Sequence, residues 1–210
     1  MSEPGTPTGN DMRKRPLSPS EAIRLVNEKY NLQHNSSETL RALLFLEKFS
    51  EMLDGLEGRK ILDVGCGNTS RIDSSSAYSQ KNDRNYEPWF CRALQMAGGH
   101  AIGIDIGNLD TEEFEHYQDN FLNPHIYDRF DDSSFDGVLS SSLFGETRSS
   151  GFTSPALRRA SSDSNFNAAR NNFFMQDKRV LKEGGVLIVF ASAKKLLTFR
   201  KVGGELVQEK

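Results

Sequence analysis

Two carboxylates and two glycines hold the chain's most chemically suggestive spacing. In Lys60-Ile-Leu-Asp63-Val-Gly65-Cys66-Gly67 an apolar strand, Ile61 to Val64, carries an acid and runs into a glycine turn. Backbone without side chains can approach a nucleotide closely there. Ala101-Ile-Gly-Ile-Asp105 is a second apolar strand that closes on a carboxylate. At the tip of a parallel neighbour, such an acid is placed to accept hydrogen bonds from both hydroxyls of an adenosine ribose. Together the two segments describe a nucleoside-binding crevice.

Strand, helix and strand must alternate around these residues to bring them together. After Arg59 the pattern predicts strands at Lys60–Val64, Ala101–Ile106, Glu115–Gln118, Phe135–Leu139 and Val186–Ala191. Helices are expected at Glu87–Ala97 and from about Asn167 to Leu181, the latter stopped by glycine in Lys182-Glu-Gly-Gly185. Such alternation forms a mostly parallel, doubly wound α/β sheet with helices on both faces. Upstream, Ser18-Pro-Ser-Glu21 offers a cap for a helix over Ala22–Tyr30, and Ser36 or Ser37 for one reaching Leu53. Both are expected against the sheet edge, shading the site. Gly203-Gly204 is a tight-turn pair between Lys195–Val202 and Glu205–Glu209, so a compressed final strand pair can form.

The expected organisation is a disordered tail over 1–18, N-terminal helices over 19–58 packing on the core, and a main domain over 59–210. The tail mixes Pro, Gly, Ser and Thr with Arg13-Lys14-Arg15, a cluster read as solvated, with a nuclear address as the alternative. Two polar insertions interrupt the domain. Ser70–Tyr86 separates the glycine turn from its helix, so Gly67 and Asp105 stand 38 positions apart where about 20 is usual. Gly145–Asn165, following the fourth strand, is a candidate lid and contains Arg158-Arg159-Ala160-Ser161, which resembles a kinase site.

With 210 residues and 36% hydrophobic content the chain can bury one good core. A net charge of -3 and a pI near 5.9 give no general pull toward nucleic acid or anionic membranes. Neither is expected as a partner. The sequence has no apolar run long enough to span a bilayer, and its start lacks the apolar core of a signal peptide. Cys66 and Cys91 have neither metal-ligand spacing nor disulfide-scaffold density, so no metal is expected and a reducing, cytoplasmic setting fits best.

These elements, in this order, resemble the class I S-adenosylmethionine-dependent methyltransferases. The match runs from about Arg59 to Ala191 and consists of Asp63-Val-Gly65-Cys66-Gly67, Asp105, an acid at Asp119, Ser134-Phe-Asp-Gly-Val-Leu139 and Val180-Leu-Lys-Glu-Gly-Gly185. The resemblance implies a seven-stranded sheet with its last strand antiparallel, S-adenosylmethionine as cofactor and methyl transfer as the activity. It implies cofactor contacts at Asp63, Gly65, Cys66, Gly67, Asp105, Ile106, Asp119, Asn120 and Ser140. Asp63 would organise the turn, Asp105 would take the ribose, and Asp119 with the Asn120 backbone would take the adenine. Ser140 and Ser141, just past the fourth strand, would border the sulfonium and the acceptor. Thr69 stands where the family has a third glycine, and the chain after the fifth strand is abbreviated.

Each assignment has a plainer alternative. The glycines can form an ordinary strand-to-helix turn, Asp105 can cap a loop, and Asp128, Asp131 and Asp132 crowd the region of Asp119. Ser140 to Ser142 can be small loop residues. Trp89 and Phe90, with Tyr86, can stack on a ligand, but packing a helix onto the sheet is the stronger reading. His34, His116 and His125 are available imidazoles, His100 looks like turn chemistry, and no general base is assigned. The expected acceptor is a small or medium-sized molecule, with a protein acceptor as an alternative and the oligomeric state open. Two rival functions remain. One is a non-catalytic cofactor-binding or regulatory module on the same fold; the other is a nicotinamide-dependent oxidoreductase. Ser70 replaces the last glycine of the dinucleotide fingerprint, which argues against the second.

Overall fold

The computed structural model describes residues 16–33, 36–67, 87–120, 123, 125–141, 164–192 and 195–209. The Arg13-Lys14-Arg15 cluster, His34, Thr69, the Ser70–Tyr86 insertion, Ser142, the candidate lid up to residue 163 and the kinase-like Arg158–Ser161 segment lie outside them.

Helix α1 spans Pro19–Lys29 and starts three residues before its expected beginning. Its start is fixed by a capping box: Glu21 N–H donates to Ser18 Oγ at 3.3 Å, while Ser18 N–H donates back to Glu21 Oε2 at 2.8 Å. Helix α2 spans Ser37–Leu53 and ends where Asp54 turns left-handed, φ 56°. Both helices pack on one face of the sheet rather than at its edge. Phe45, Leu46 and Phe49 share a buried cluster with Ile61 of β1 (Lys60–Val64), Leu139 of β4 (Phe135–Ser141) and Ile188 of β5 (Leu181–Ser192). Helix α3, Trp89–Met96, joins that cluster through Trp89, Phe90 and Cys91, so the two aromatics pack the helix onto the sheet. On the opposite face, α4 (Ser164–Val180) contributes Phe173 and Val180 to a second cluster with Leu62, Val138 and Leu187. Apolar residues alternate between the faces along β1, as expected of a strand covered on both sides.

With β2 at His100–Asp105, β3 at Glu115–Gln118, β6 at Lys195–Val202 and β7 at Glu205–Gln208, the sheet order is β3-β2-β1-β4-β5-β6-β7. The first five strands are parallel. Strand β6 runs antiparallel to β5, and β7 runs antiparallel to β6, so β6 alone opposes the rest. The reversed strand is therefore the penultimate one, where the resemblance implied the last. A hairpin closes with a two-residue turn whereas a parallel crossover needs a dozen residues or more, so β6 and β7 both join the sheet within residues 195–208. Gly203 and Gly204, φ 58° and 80°, make that turn with the two left-handed residues a primed hairpin needs.

Three sequence expectations change. His100 is not in a turn but opens β2, opposite Lys60. Lys182-Glu-Gly-Gly185 does not cap α4. Strand β5 begins at Leu181, which pairs with Phe135, and Val186 pairs with Gly137, so the glycine-containing segment bulges out between the two pairs. Gly184, φ 77°, lets it turn back. Finally, β4 extends two residues past Leu139, so Ser140 and Ser141 lie within the strand.

Candidate functional site

Strands β1, β2 and β4 end level with one another: Val64 is opposite Ile104 on one side and Ser140 on the other. Beyond Val64, the turn folds over β2. Gly65 and Cys66 both donate their N–H groups to the Ile104 carbonyl, at 2.8 and 3.1 Å. Gly65 and Gly67 have φ of 76° and 95°, values that glycine adopts without the side-chain penalty. Gly67 N–H then donates to Asp105 Oδ2 at 3.0 Å, and Gly107 N–H donates to Oδ1 at 2.9 Å. The glycine turn, the second-strand acid and the loop after β2 thus meet at one carboxylate. Two backbone bonds, one to each oxygen, thus orient the Asp105 carboxylate.

Asp63 lies on the same face, below the turn and 2% exposed. Its Oδ2 accepts from Cys91 Sγ at 3.8 Å, and Oδ1 has no partner. Burial, followed by the Asp105 charge, pushes its carboxyl up to about 8. Cys66 is buried beside it and donates to the Gly67 carbonyl at 3.2 Å. Burial pushes the Cys66 thiol up to about 11, and that of Cys91 upward as well, so both stay protonated at neutral pH. Gly103 of β2 makes room for this arrangement. A Cβ there would come within 2.7 Å of Phe114 and 2.8 Å of Cys66 Sγ.

The other sequence candidates divide. Ile106 falls just outside β2 and is 54% exposed beside Asp105. Ser140 is fully buried, with an unpartnered Oγ, on the opposite face from Asp63. Asp119 follows β3 and is joined to β2 by its N–H, which donates to the Asp105 carbonyl at 2.9 Å. Its side chain is already engaged. Oδ1 accepts from Asn120 N–H and Asn123 Nδ2, and Oδ2 pairs with Arg129 at 2.6 Å. Desolvation opposes ionisation, but those hydrogen bonds and the Arg129 charge outweigh it and hold the carboxyl below its ordinary value. Asn120 itself is exposed.

Two described imidazoles are committed elsewhere. His116 Nδ1 lies 2.8 Å from the Phe114 carbonyl, and His125 pairs with Asp128 at 2.8 Å. At the amino ends of the strands, a groove lined by Lys60, His100, Asp136 and Lys182 is the far end of the sheet from Asp105. Asp136 is tied there by Lys182 at 3.0 Å and Arg59 at 3.6 Å, a structural ion cluster.

Sequence reasoning missed the support behind the site. Arg92 of α3, 6% exposed, donates to both Glu112 oxygens at 2.9 and 2.5 Å and to Glu87 at 2.5 Å. Its guanidinium also lies over the Tyr30 and Trp89 rings, at 4.1 and 4.5 Å. This clamp ties the β2–β3 loop to α1 and α3. Charged residues usually mark a solvated face, so nothing local signalled it.

The sheet order, with helices packed on both faces, gives the architecture. It is a doubly wound, Rossmann-like α/β fold. No protein-family model and no curated relative matches the chain. Among solved structures, the MycE methyltransferase of the mycinamycin biosynthetic pathway, in complex with Mg, SAH and mycinamycin VI, is similar at 14% identity and a TM-score of 0.45. That match covers 83% of this chain and 39% of MycE, so the chain spans well under half the MycE length. A TehB-like SAM-dependent methyltransferase from Corynebacterium glutamicum is similar at 14% identity and a TM-score of 0.41, covering 81% of this chain and 72% of its own. For a protein-L-isoaspartate O-methyltransferase the values are 12%, 0.42, 90% and 62%. Among the described residues no helix is long and apolar enough to cross a membrane, and no group of three or more ligating side chains could hold a metal.

Proposed function

We propose that this chain is a class I methyltransferase that binds S-adenosylmethionine at the carboxyl ends of β1, β2 and β4 and methylates a small or medium-sized acceptor. The hydrogen bond from Gly67 N–H to Asp105 carries the reading, because it joins the glycine turn to a carboxylate 38 positions away. An adenosyl group needs both, one to pass beneath it and one to grip its ribose. The unpartnered Asp63 Oδ1 beneath the turn is the polar atom a bound group would help satisfy.

S-adenosylmethionine supplies a methyl group on a positively charged sulfur, an electrophile that needs no further activation. The chain's own task is placement. Asp105, held by two backbone donors, orients the ribose; Gly65 and Gly67 give the turn its course; exposed Ile106 offers the adenine an apolar contact. Asp119, with Oδ2 on Arg129 and Oδ1 on Asn120 and Asn123, serves the adenine end by fixing the loop after β3. Transfer in line with a positioned acceptor draws most of its rate from that alignment.

Calorimetric titration with S-adenosylhomocysteine, repeated on Asp105→Ala, tests the reading. Loss of the ribose bonds is expected to weaken affinity about ten- to a hundredfold, roughly 1.5 to 3 kcal/mol. No binding by the wild type, or unchanged affinity in the variant, removes Asp105 from the site. Thermal-shift comparison with NADH separates the oxidoreductase reading, since a true ligand raises the melting point by mass action.

A further inference from the structure

Helix α2 runs with its C-terminal end toward the amino ends of the strands, since the Met52 carbonyl accepts from Arg200, opposite Val186. Its first turns therefore lie at the cofactor end. There the Arg41 guanidinium lies 5.3 Å from the Phe190 ring centroid, and Phe45 meets the same ring edge-on at 5.5 Å. Phe190 pairs with Ser141, one step beyond the level of Val64 and Ser140, which puts it level with the glycine turn. It stands two strands from β1, roughly 10 Å at the usual strand spacing. Phe190 also packs against the cluster on the face that holds Asp63 and Cys91.

Arg41 is exposed, and no carboxylate or other acceptor engages it among the described residues. The other long basic side chains of α1 and α2 contrast with it: Arg24, Lys29 and Lys48 each pair with a glutamate. A planar cation and an aromatic ring thus meet at the level of the glycine turn.

We propose that Arg41 and Phe190 form the acceptor subsite, and that the methyl acceptor is an apolar acid whose carboxylate pairs with Arg41 while its hydrocarbon portion lies against Phe190. This assignment rests on the methyltransferase reading for its role. The guanidinium fork matches a carboxylate with two parallel hydrogen bonds, and the ring beneath excludes water from one side of the pair. A span of roughly 10 Å between this anchor and the glycine turn suits an acceptor whose reactive atom lies several bonds from its acid group.

The test uses the full chain saturated with S-adenosylhomocysteine and titrates benzoate and benzamide by ligand-observed NMR, on wild type and on Arg41→Gln. Benzoate is expected to bind at least fivefold tighter than benzamide to the wild type. Arg41→Gln is expected to bring the two within twofold of each other while leaving S-adenosylhomocysteine affinity unchanged, and Arg41→Lys to keep part of the preference. Equal binding of the two probes, binding of neither, or a benzoate preference that survives in Arg41→Gln overturns the assignment. Failure of S-adenosylhomocysteine to bind is read separately in the cofactor titration and overturns the methyltransferase reading instead.

Discussion

Asp63 shows how far burial can move a single residue. Its carboxyl titrates near 8 in the folded chain against 3.8 for the ordinary group, because desolvation and then the Asp105 charge both disfavour the anion. Between about pH 4 and pH 8 the native chain keeps a proton that the unfolded chain has lost. Stability must therefore fall as pH rises through that window and level off above it, by up to about 1.4 kcal/mol per unit. Asp63→Asn, which stays neutral, is expected to flatten this dependence and to be the more stable protein at pH 8. Urea unfolding of both proteins at pH 6 and pH 8 checks it, and a wild type equally stable at the two values would contradict a raised Asp63. The motif around Asp63 was legible in sequence, but its protonation was not. That depends on Cys91 and Asp105, which reach it only through the fold.

At the scale of elements, the clamp on the β2–β3 loop is the least legible part of the site. Glu112 is seven residues past Asp105 in the loop, its side chain only 2% exposed, and Arg92 is its charge partner. Removing one member of a buried pair strands the other. Arg92→Met is expected to cost about 3–5 kcal/mol in chemical unfolding and to speed amide exchange across Gly107–Phe114. Adding Glu112→Met to it is expected to recover much of the loss, since an apolar replacement of similar size leaves no unpaired charge there. A single variant as stable as wild type would show that the clamp does not hold the loop. Asp119 teaches the same lesson: its place after β3 was readable, yet its partner Arg129 lies ten positions on, in a segment with no strong pattern. The N-terminal helices were readable as amphipathic elements, but an apolar stripe does not specify which surface covers it. Face rather than edge was decided by Phe45 and Phe49 meeting β4 and β5.

For the whole molecule, a hairpin rather than a crossover sets β6 and β7 onto the sheet within residues 195–208. Strand β6 pairs with β5 from Val186 to Ser192, and Lys201 Nζ, buried, donates to the Leu181 carbonyl at 2.7 Å. Glu183 in the bulge accepts from the N–H groups of Gly203 and Gly204, which ties the hairpin turn back to β5. Replacing both glycines with valine forces β-branched residues into left-handed backbone, at about 1–2 kcal/mol each, whereas Gly203→Asn is expected to be tolerated. Denaturation midpoints with light scattering would test this. Loss of the hairpin should expose the β5 edge and promote association, and a double-valine variant as stable and monodisperse as wild type would contradict that role.

The sequence by itself determined the alternation of strands and helices, the glycine turn with its acid, the second-strand carboxylate and the tight turn at Gly203-Gly204. Each of these is local, written in side-chain periodicity or in backbone freedom over a few residues. Only the tertiary structure decided that β6 is the reversed strand, that α1 and α2 cover a face, that Arg129 takes Asp119, and that Arg41 stands over Phe190 at the carboxyl ends of the strands. Those outcomes belong to pairs of surfaces distant along the chain, and their energies exist only once packing has chosen which surfaces meet.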